Sequence, residues 1–440
     1  MNYINDVHKA LKQHAHTLNL LRFYRGIDRS EMSRKLQLSM PTIYKSIDEL
    51  SSLGIINKSE NSVSLNSNFA YLIGISIGSA LCKVSFLDMS FNLLDENEFA
   101  KYKMDICERI ESTIEDAEYD ASLLQKCKEE IHKNYVYFKT PNHFYELKNV
   151  LNGIFGYIQE CITKELYQVL SIGVSCTGVI NYRTQTILSA HNLEYLNDST
   201  LDTLIFPDKQ QFFSANQIFV SLVQNSAASV IAEKIDLYQN DSAYKHKQNV
   251  ISLYLGVGVG AGIYLNRMYS GTNGYSGEIG HTKAPVCDME NVDICSEEEK
   301  QKLDKTCTCG NEECFDYKIR TYVFGKNKDE FCDMSSETMK KYLEEHPDKA
   351  KLLGTYLGHM VNILTSLLDI DLIIFTGKFY KFMDLIYNDI VLVQDKNKLK
   401  YSRNDCALLT SGKGSLSPAI GAAIYAYHKG FGLDLSWDYE

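Results

Sequence analysis

The sequence has no run of about 18 apolar residues that could span a bilayer, and no charged start leading into an apolar core. These two absences argue against a membrane-spanning helix and a secretory leader, and the expectation is a cytoplasmic protein. Without a leader, the twelve cysteines are expected as free thiols plus one metal site rather than as a disulfide framework. Positive charge is also short. Lys and Arg number 45 against 56 Asp and Glu, a net charge of −11 that argues against nucleic-acid binding along the whole chain. What is present is 45% hydrophobic and 23% charged, a globular composition. At 440 residues there is length for two or three domains with real cores.

The charge is unevenly placed. Residues 1–65 carry nine Lys/Arg and six Asp/Glu, a balance of +3, which leaves −14 on the remainder. A slightly basic head on an acidic body suits a small DNA-reading module attached to a larger domain. Leu18–Lys58 reads as three helices and a wing. Leu18, Leu20, Leu21 and Phe23 form an apolar stripe, a second helix begins at Arg29, and Gln37-Leu38-Ser39 turns into a third from Met40 to Leu50. Ser39 is a suitable N-cap, and Pro41 is tolerated in the first turn. Ile43, Ile47 and Leu50 recur at helical spacing and should face inward. Thr42, Tyr44, Lys45 and Ser46 should then face out. Gly54-Ile55-Ile56 and Ser62–Leu65 flank Ser59-Glu60-Asn61 as a hairpin carrying Lys58. In a helix-turn-helix the second helix of the pair enters the major groove. On that reading Ser39, Thr42, Tyr44 and Lys45 meet bases or adjacent phosphates, and Arg34 and Lys58 meet phosphates. The plainer alternative is a helical protein-interaction module with a solvated polar face.

The densest chemistry lies in Cys307-Thr-Cys309-Gly310-Asn-Glu-Glu-Cys314, three cysteines in eight residues, preceded by Gly277-Glu-Ile-Gly-His281. Thiolates are soft ligands suited to zinc, which takes four tetrahedral sulfur and nitrogen donors at about 2.0–2.3 Å. With an upstream histidine they could make a closed Cys3His site; three ordinary thiols are the alternative. Glu278 and His281 are three residues apart, so on a turn they share a face and could together grip vicinal hydroxyls. If one imidazole nitrogen holds the metal, the other stays free for a ligand.

At these residues the chain resembles the ROK family (repressors, open reading frames, kinases). Its signature is Glu-x-Gly-His followed by Cys-x-Cys-Gly-x-x-Gly-Cys-x-Glu; here the last glycine is Glu313 and the last glutamate is Asp316. The resemblance implies an α/β fold, an N-terminal winged helix-turn-helix over 1–65 followed by a two-lobed actin-like, ribonuclease-H-like body. The first lobe would span 66–200 with a helical insertion at 101–165. The second would span 201–440, with the knuckle and a closing C-terminal helix. It implies structural zinc on His281, Cys307, Cys309 and Cys314. The chain departs from the family in a polar segment between histidine and first cysteine that carries Cys287 and Cys295, either of which could replace a ligand.

The resemblance also implies a sugar site on Asn192, Gln224, Asn225, Glu278, His281 and Asp316. Where kinases of the family carry Asp-x-Gly-Gly-Thr, this chain has Ser76, Ser79 and Ala80 at the Asp, second Gly and Thr positions. Val257 replaces a phosphate-binding Thr, and Lys378 replaces one glycine of a Gly-Gly turn near the adenosine site. Asn225 falls at the family's general base, with Gln224 before it; an amide has no basic site for that role. Losing a general base alone costs about 10²–10⁴ in rate. The expectation is therefore a sugar-responsive regulator, a repressor in most such family members, with no enzyme activity. It would bind an inverted-repeat operator as a homodimer or higher homo-oligomer. Two alternatives stand beside it: a sugar kinase with a DNA-binding head, and a regulator governed by a protein partner.

Overall fold

The computed structural model describes residues 2–24, 26–115, 119–240, 243–287, 303–397 and 406–432. Four helices open the chain: α1 (Asn2–Gln13), α2 (Ala15–Phe23), α3 (Arg29–Leu36) and α4 (Met40–Ser52). Ser39 caps α4 by accepting from the Thr42 amide, with Pro41 in the first turn. Gln37 supplies the left-handed turn between α3 and α4, at φ 53°. Strands β1 (Ile56–Lys58) and β2 (Val63–Leu65) pair antiparallel, Ile56 opposite Leu65. Arg29 latches this wing, donating to the carbonyls of Glu60 and Ser59 at 2.7 and 3.1 Å.

Two departures from the sequence reading fall in this head. Leu18–Lys58 holds the three helices expected of it, but a fourth, α1, precedes them and buries Val7, Ala10 and Leu11. Ser46 is not on the outward face: it is 4% exposed, and its hydroxyl donates to the Thr42 carbonyl one turn back.

The body carries the same sheet topology twice. In the first lobe β3 (Tyr71–Ile77) and β4 (Leu81–Leu87) form a hairpin. Then come α5 (Glu96–Thr113), α6 (Ser122–Glu129), β5 (Tyr135–Lys139), α7 (Phe144–Thr163) and β6 (Val169–Cys176). A small sheet follows, of β7 (Val179–Asn181), β8 (Thr186–Ser189) and β9 (Ser199–Thr200). Helices α8 (Leu201–Leu204) and α9 (Pro207–Ala215) then lead to β10 (Phe219–Gln224) and α10 (Asn225–Gln239). The main sheet runs β5-β4-β3-β6-β10. In the second lobe β11 (Asn249–Leu255), β12 (Val259–Leu265) and β13 (Met268–Tyr269) are followed by α11 (Phe315–Lys318), α12 (Lys328–Asp333), α13 (Ser336–Glu345) and α14 (Pro347–Leu368). The chain ends on β14 (Leu372–Gly377), α15 (Met383–Asn397), β15 (Ala407–Thr410) and α16 (Ser417–Phe431), and the sheet runs β13-β12-β11-β14-β15. In each sheet the first three strands in chain order pair antiparallel and the last two add parallel.

This repetition corrects the lobe limits expected from sequence. The stretch 101–165 is mainly helical but is not only an insertion, since it contains β5, the edge of the first sheet. The first lobe does not end at 200 either, because β10 pairs with β6 and α16 lies on the first sheet. Strands β3 and β6 are buried along their whole length, as parallel strands covered on both faces must be. Helices α10 and α16 pack on each other and form the joint between the lobes.

The head is seated on that joint. Arg22 of α2 donates to the Met89 carbonyl at 3.0 Å, and its guanidinium lies 4.4 and 4.6 Å from the Phe91 and Tyr427 rings. His8 of α1 contacts the rings of Phe219 and Phe431 at the far end of α16. Among the described residues no helix is long and apolar enough to cross a membrane.

One buried acid in α10 makes stability depend on pH. Glu233 is buried and accepts from the Ser411 hydroxyl at 2.6 Å, while Ser411 Oγ accepts from the amides of Lys413 and Gly414. Burial pushes its carboxyl up to about 8. A carboxyl whose pKa is raised by folding holds its proton more tightly in the native state, so stability is lost as pH climbs from the usual carboxylate range towards 8. Glu233→Gln keeps the acceptor and removes the charge. It should be more stable than the parent at pH 8 by roughly 2–4 kcal/mol, a margin that closes near pH 5. Melting curves at the two pH values check this; parallel profiles would contradict it.

Candidate functional site

A short turn at Ile279–His281 brings His281 beside the cysteine loop. His281 Nδ1 lies 3.7 Å from Cys307 Sγ, and Cys309 Sγ lies 3.9 Å from Cys314 Sγ. The ligand atoms of His281, Cys307, Cys309 and Cys314 all fall within 4.8 Å of one another. The loop closes on itself through the Gly310 amide to the Cys307 carbonyl (2.8 Å) and the Cys307 amide to the Asn311 carbonyl (3.0 Å). Gly310 sits at φ 81° with open space around it, so backbone conformation explains the glycine. A hydrogen bond from Cys314, opposed by burial and helped by the His281 imidazole, holds the Cys307 thiol well below its ordinary range. Three sulfurs and one imidazole are consistent with a structural zinc site. Such an ion supplies a rigid tetrahedral cross-link. Cys287 stands apart, its sulfur 3.9 Å from the Pro285 carbonyl; Cys295 lies outside the described residues.

The knuckle is stitched to the segment that follows Glu278 and the Ile279–His281 turn. The Ala284 amide donates to the Glu313 carbonyl at 2.7 Å, and the Phe315 amide to Thr282 at 3.2 Å. Glu278 Oε2 then lies 3.9 Å from His281 Nε2, so one ring nitrogen faces the sulfurs and the other the carboxylate.

Between the lobes runs a cleft of about 680 Å³, lined by Asn192, Gln224, Asn225, Glu278, His281 and Asp316 together. These come from four separate stretches of chain, which the fold brings to one wall. Gln224 ends β10 and donates to Glu278 Oε1 at 2.7 Å, tying the first lobe to the second. Asn225 opens α10; its Nδ2 donates to the Ile77 carbonyl at 3.0 Å, while its Oδ1 is buried with no partner. Ser226 Oγ is equally unpartnered. Orphaned buried acceptors are rare and need a ligand or water to explain them. Asp316 accepts from the Val259 amide at 2.8 Å, and burial pushes its carboxyl up to about 7 against the pull of His281. It fits only because Gly258 and Gly280 lie against it: a Cβ on Gly280 would come within 2.2 Å of Asp316 Oδ1.

Several cleft residues were not foreseen from sequence, among them His191, Lys83 and Lys378. His191 packs edge-on against the His281 ring at 5.1 Å; its place next to Asn192 was the available signal. Lys83 and Lys378 also line the cleft, and Lys378 had been read only as a lost glycine. Of the positions that depart from the kinase pattern, Ser79, Ala80, Val257 and Lys378 line the cleft, and Ser76 is buried behind it.

On the head, Ser39, Thr42, Tyr44 and Lys45 are exposed around the start of α4. Arg34 is exposed beside Glu31 (3.7 Å), and Lys58 pairs with Asp48 at 3.1 Å. Both are surface ion pairs, worth little and readily exchanged for another anion.

Comparison with known proteins agrees with this architecture. The sequence model of the ROK family matches residues 120–429. A xylose repressor of Caldicellulosiruptor bescii is 27% identical over 173 residues, 38% of this chain and 36% of the repressor. A xylose repressor of Bacillus spizizenii is 22% identical over 286 residues, 62% of this chain and 65% of that one. The chain thus matches just over a third of the first relative's length and 65% of the second's. Among solved structures, a ROK family transcriptional regulator homologous to the E. coli MLC protein covers 96% of this chain and 98% of its own, with TM-score 0.65 and 17% identity. A ROK family glucokinase from Streptomyces griseus, with glucose and AMPPNP, covers 81% of this chain and 99% of its own, with TM-score 0.53 and 17% identity. Likeness at these identities speaks for the fold.

Proposed function

Because the chain belongs to the ROK family, we propose that it is a sugar-responsive DNA-binding regulator, acting as a repressor, whose kinase-like cleft does not transfer phosphate. The observation that carries the reading is Asn225. It opens α10 on the cleft wall with an unpartnered Oδ1, where the family's kinases place their base. An amide carbonyl there accepts a hydrogen bond from a sugar hydroxyl but cannot take its proton. Phosphoryl transfer rests on positioning and on charge stabilisation around the phosphates, and Ser76 supplies no carboxylate for magnesium while Ala80 and Val257 supply no hydroxyl for a phosphate. The xylose repressor relatives favour a sugar as effector.

Helix α16 offers a physical route between the two functions. It begins next to Ser415 on the cleft wall and ends at Phe431 against His8 of the head. A sugar that draws the lobes together moves α16 against α10 and with it the seat of α1 and α2. In a dimer this alters the distance between the two α4 helices, which must match one turn of DNA for an inverted-repeat operator. Sugar and operator then weaken each other by the same factor.

The test has two arms. Gel-shift titration of the region upstream of the chain's own gene should show binding that Lys45→Glu weakens at least ~10-fold, through loss of a cationic contact and added repulsion. A coupled assay with ATP and a panel of aldoses should show no turnover above background. Measurable sugar phosphorylation, or DNA binding indifferent to Lys45→Glu and Tyr44→Ala, would overturn the proposal.

A further inference from the structure

A groove of about 390 Å³ runs along the seam between the head and the first lobe. Its floor is apolar, built from Leu201, Ile205, Phe213 and Ile218. Helix α1 closes one side with His8 and Lys12, which share a helix face. The Gln217 side chain donates to Asn5 of α1 and ties that side to the body. Behind the groove lies β10, the edge strand of the first sheet. Alternate residues of an edge strand turn their amide and carbonyl away from the sheet, and here those residues are Ile218, Val220, Leu222 and Gln224. Three of the outward amides are met. Ile218 donates to the Phe213 carbonyl at 2.8 Å, Leu222 to the Gln185 side chain at 2.7 Å, and Gln224 to the Tyr182 hydroxyl at 3.4 Å. Gln185 also donates back to the Leu222 carbonyl at 3.4 Å, so its side chain imitates a neighbouring strand. Val220 lines the groove, and among the described residues no bond outside the β10–β6 ladder reaches it.

The groove opens where α16 ends. The Phe431 ring lies 5.1 Å from the rings of both Phe219 and His8, two of the groove's own residues. Gly432, at φ 66°, then ends the helix in a left-handed turn that redirects the chain. The sequence continues as Leu433-Asp434-Leu435-Ser436-Trp437-Asp438-Tyr439-Glu440. Apolar and polar residues alternate without a break, the pattern of a strand with one face buried. Eight residues of extended chain reach roughly 26–29 Å, enough to pass Val220 from a start beside Phe219. Three of the four polar residues are acids. Lys12 Nζ lies 5.5 Å from the Phe219 ring and makes no ion pair among the described residues. Asp202 is the rim's own carboxylate, and it is exposed to water.

We propose that residues 433–440 add to β10 as a further strand paired at Val220, with Leu435 and Trp437 on the apolar floor and Asp434 and Asp438 towards Lys12. An extended segment on a sheet edge takes its affinity from main-chain bonds and its register from pockets for alternate side chains. Seated there, the segment touches α1 of the head and the edge of the body's sheet at once, and acts as a latch on the head. This goes beyond the sugar-sensor reading and does not depend on what fills the cleft.

Trp437 is the chain's single tryptophan, so the tryptophan fluorescence of the full-length protein reports on this segment alone. Its emission should be blue-shifted from that of a synthetic peptide of residues 433–440, with acrylamide quenching at least ~3-fold weaker, as for a ring packed on apolar side chains. Val220→Pro removes the outward N–H, a change that an edge strand tolerates, and Lys12→Glu reverses the charge that faces the acids. Each should move quenching most of the way back to the peptide value, while Lys45→Glu, which does not line the groove, should leave it unchanged. Should Val220→Pro fail to fold, Lys12→Glu, at an exposed position, carries the test. A Trp437 quenched as freely as in the peptide overturns the proposal. So does protection that both groove variants leave intact, which places the segment elsewhere. Protection that appears only as chains associate at rising concentration gives the groove to a second copy and overturns the latch.

Discussion

Stripping the metal from the knuckle is expected to lower the melting temperature by at least ~10 °C, since structural zinc contributes many kcal/mol and each is worth about 2–4 °C in a domain of this size. The loop from Cys307 to Cys314 has little else to hold it. Gly310 is solvated, Cys309 is partly exposed, and the internal hydrogen bonds are those of two tight turns. Without a cation, three thiols and an imidazole would be packed within 4.8 Å with only weak sulfur hydrogen bonds between them. Loss of the ion should also reach the cleft, because His281 has one nitrogen towards Cys307 and the other towards Glu278. Cys309→Ser should therefore lose both the metal and effector binding, although Cys309 does not line the cleft. Elemental analysis should find one zinc per chain in the parent and far less in the variant. A metal-free parent whose melting point ignores a strong chelator would refute this.

An equally large effect is expected at the joint between the lobes. Gly421 of α16 lies so close to α10 that a Cβ there would stand 1.7 Å from the Ala228 carbonyl. Backbone atoms cannot yield as the tip of a flexible side chain can, so even Gly421→Ala must push the two helices apart. Both helices are buried along most of their length, and parting them opens voids on both sheets. The cost should exceed ~4 kcal/mol, the range reserved for severe core damage. Gly412→Ala, with open space around its Cβ position, should stay within about 0.5 kcal/mol of the parent. Urea unfolding measures both. A Gly421→Ala protein as stable as the control would show that the helices do not meet as described.

Much of the local chemistry was legible in the chain. Ser39 as a cap, Pro41 in the first turn and the inward Ile43, Ile47 and Leu50 follow from rules that act within one or two turns. Spacing alone grouped Cys307, Cys309 and Cys314, because metal ligands on one loop must be near in sequence. Ser46 was misplaced because its hydroxyl can satisfy itself on the Thr42 carbonyl, which lets a polar residue occupy a buried position. Helix α1 was passed over although Val7, Ala10 and Leu11 recur at helical spacing; what lay out of sight was its seat, since His8 meets phenylalanines more than 200 positions away. Strand β5 was hidden inside a helical stretch for a related reason. Its partner β4 is remote in sequence, and pairing with an existing edge is what makes it a strand.

By itself, then, the order of residues determined the three helices and wing of Leu18–Lys58, the metal-ligand cluster and an amide rather than a carboxylate at Asn225, each set by near neighbours or by the chemistry of a single side chain. Which residues share one cleft was decided only in three dimensions. The sheet topology carries Asn192, Asn225, Glu278 and Asp316 to one wall and sets Lys83 opposite Ser76, because strand register, not proximity along the chain, governs what faces what.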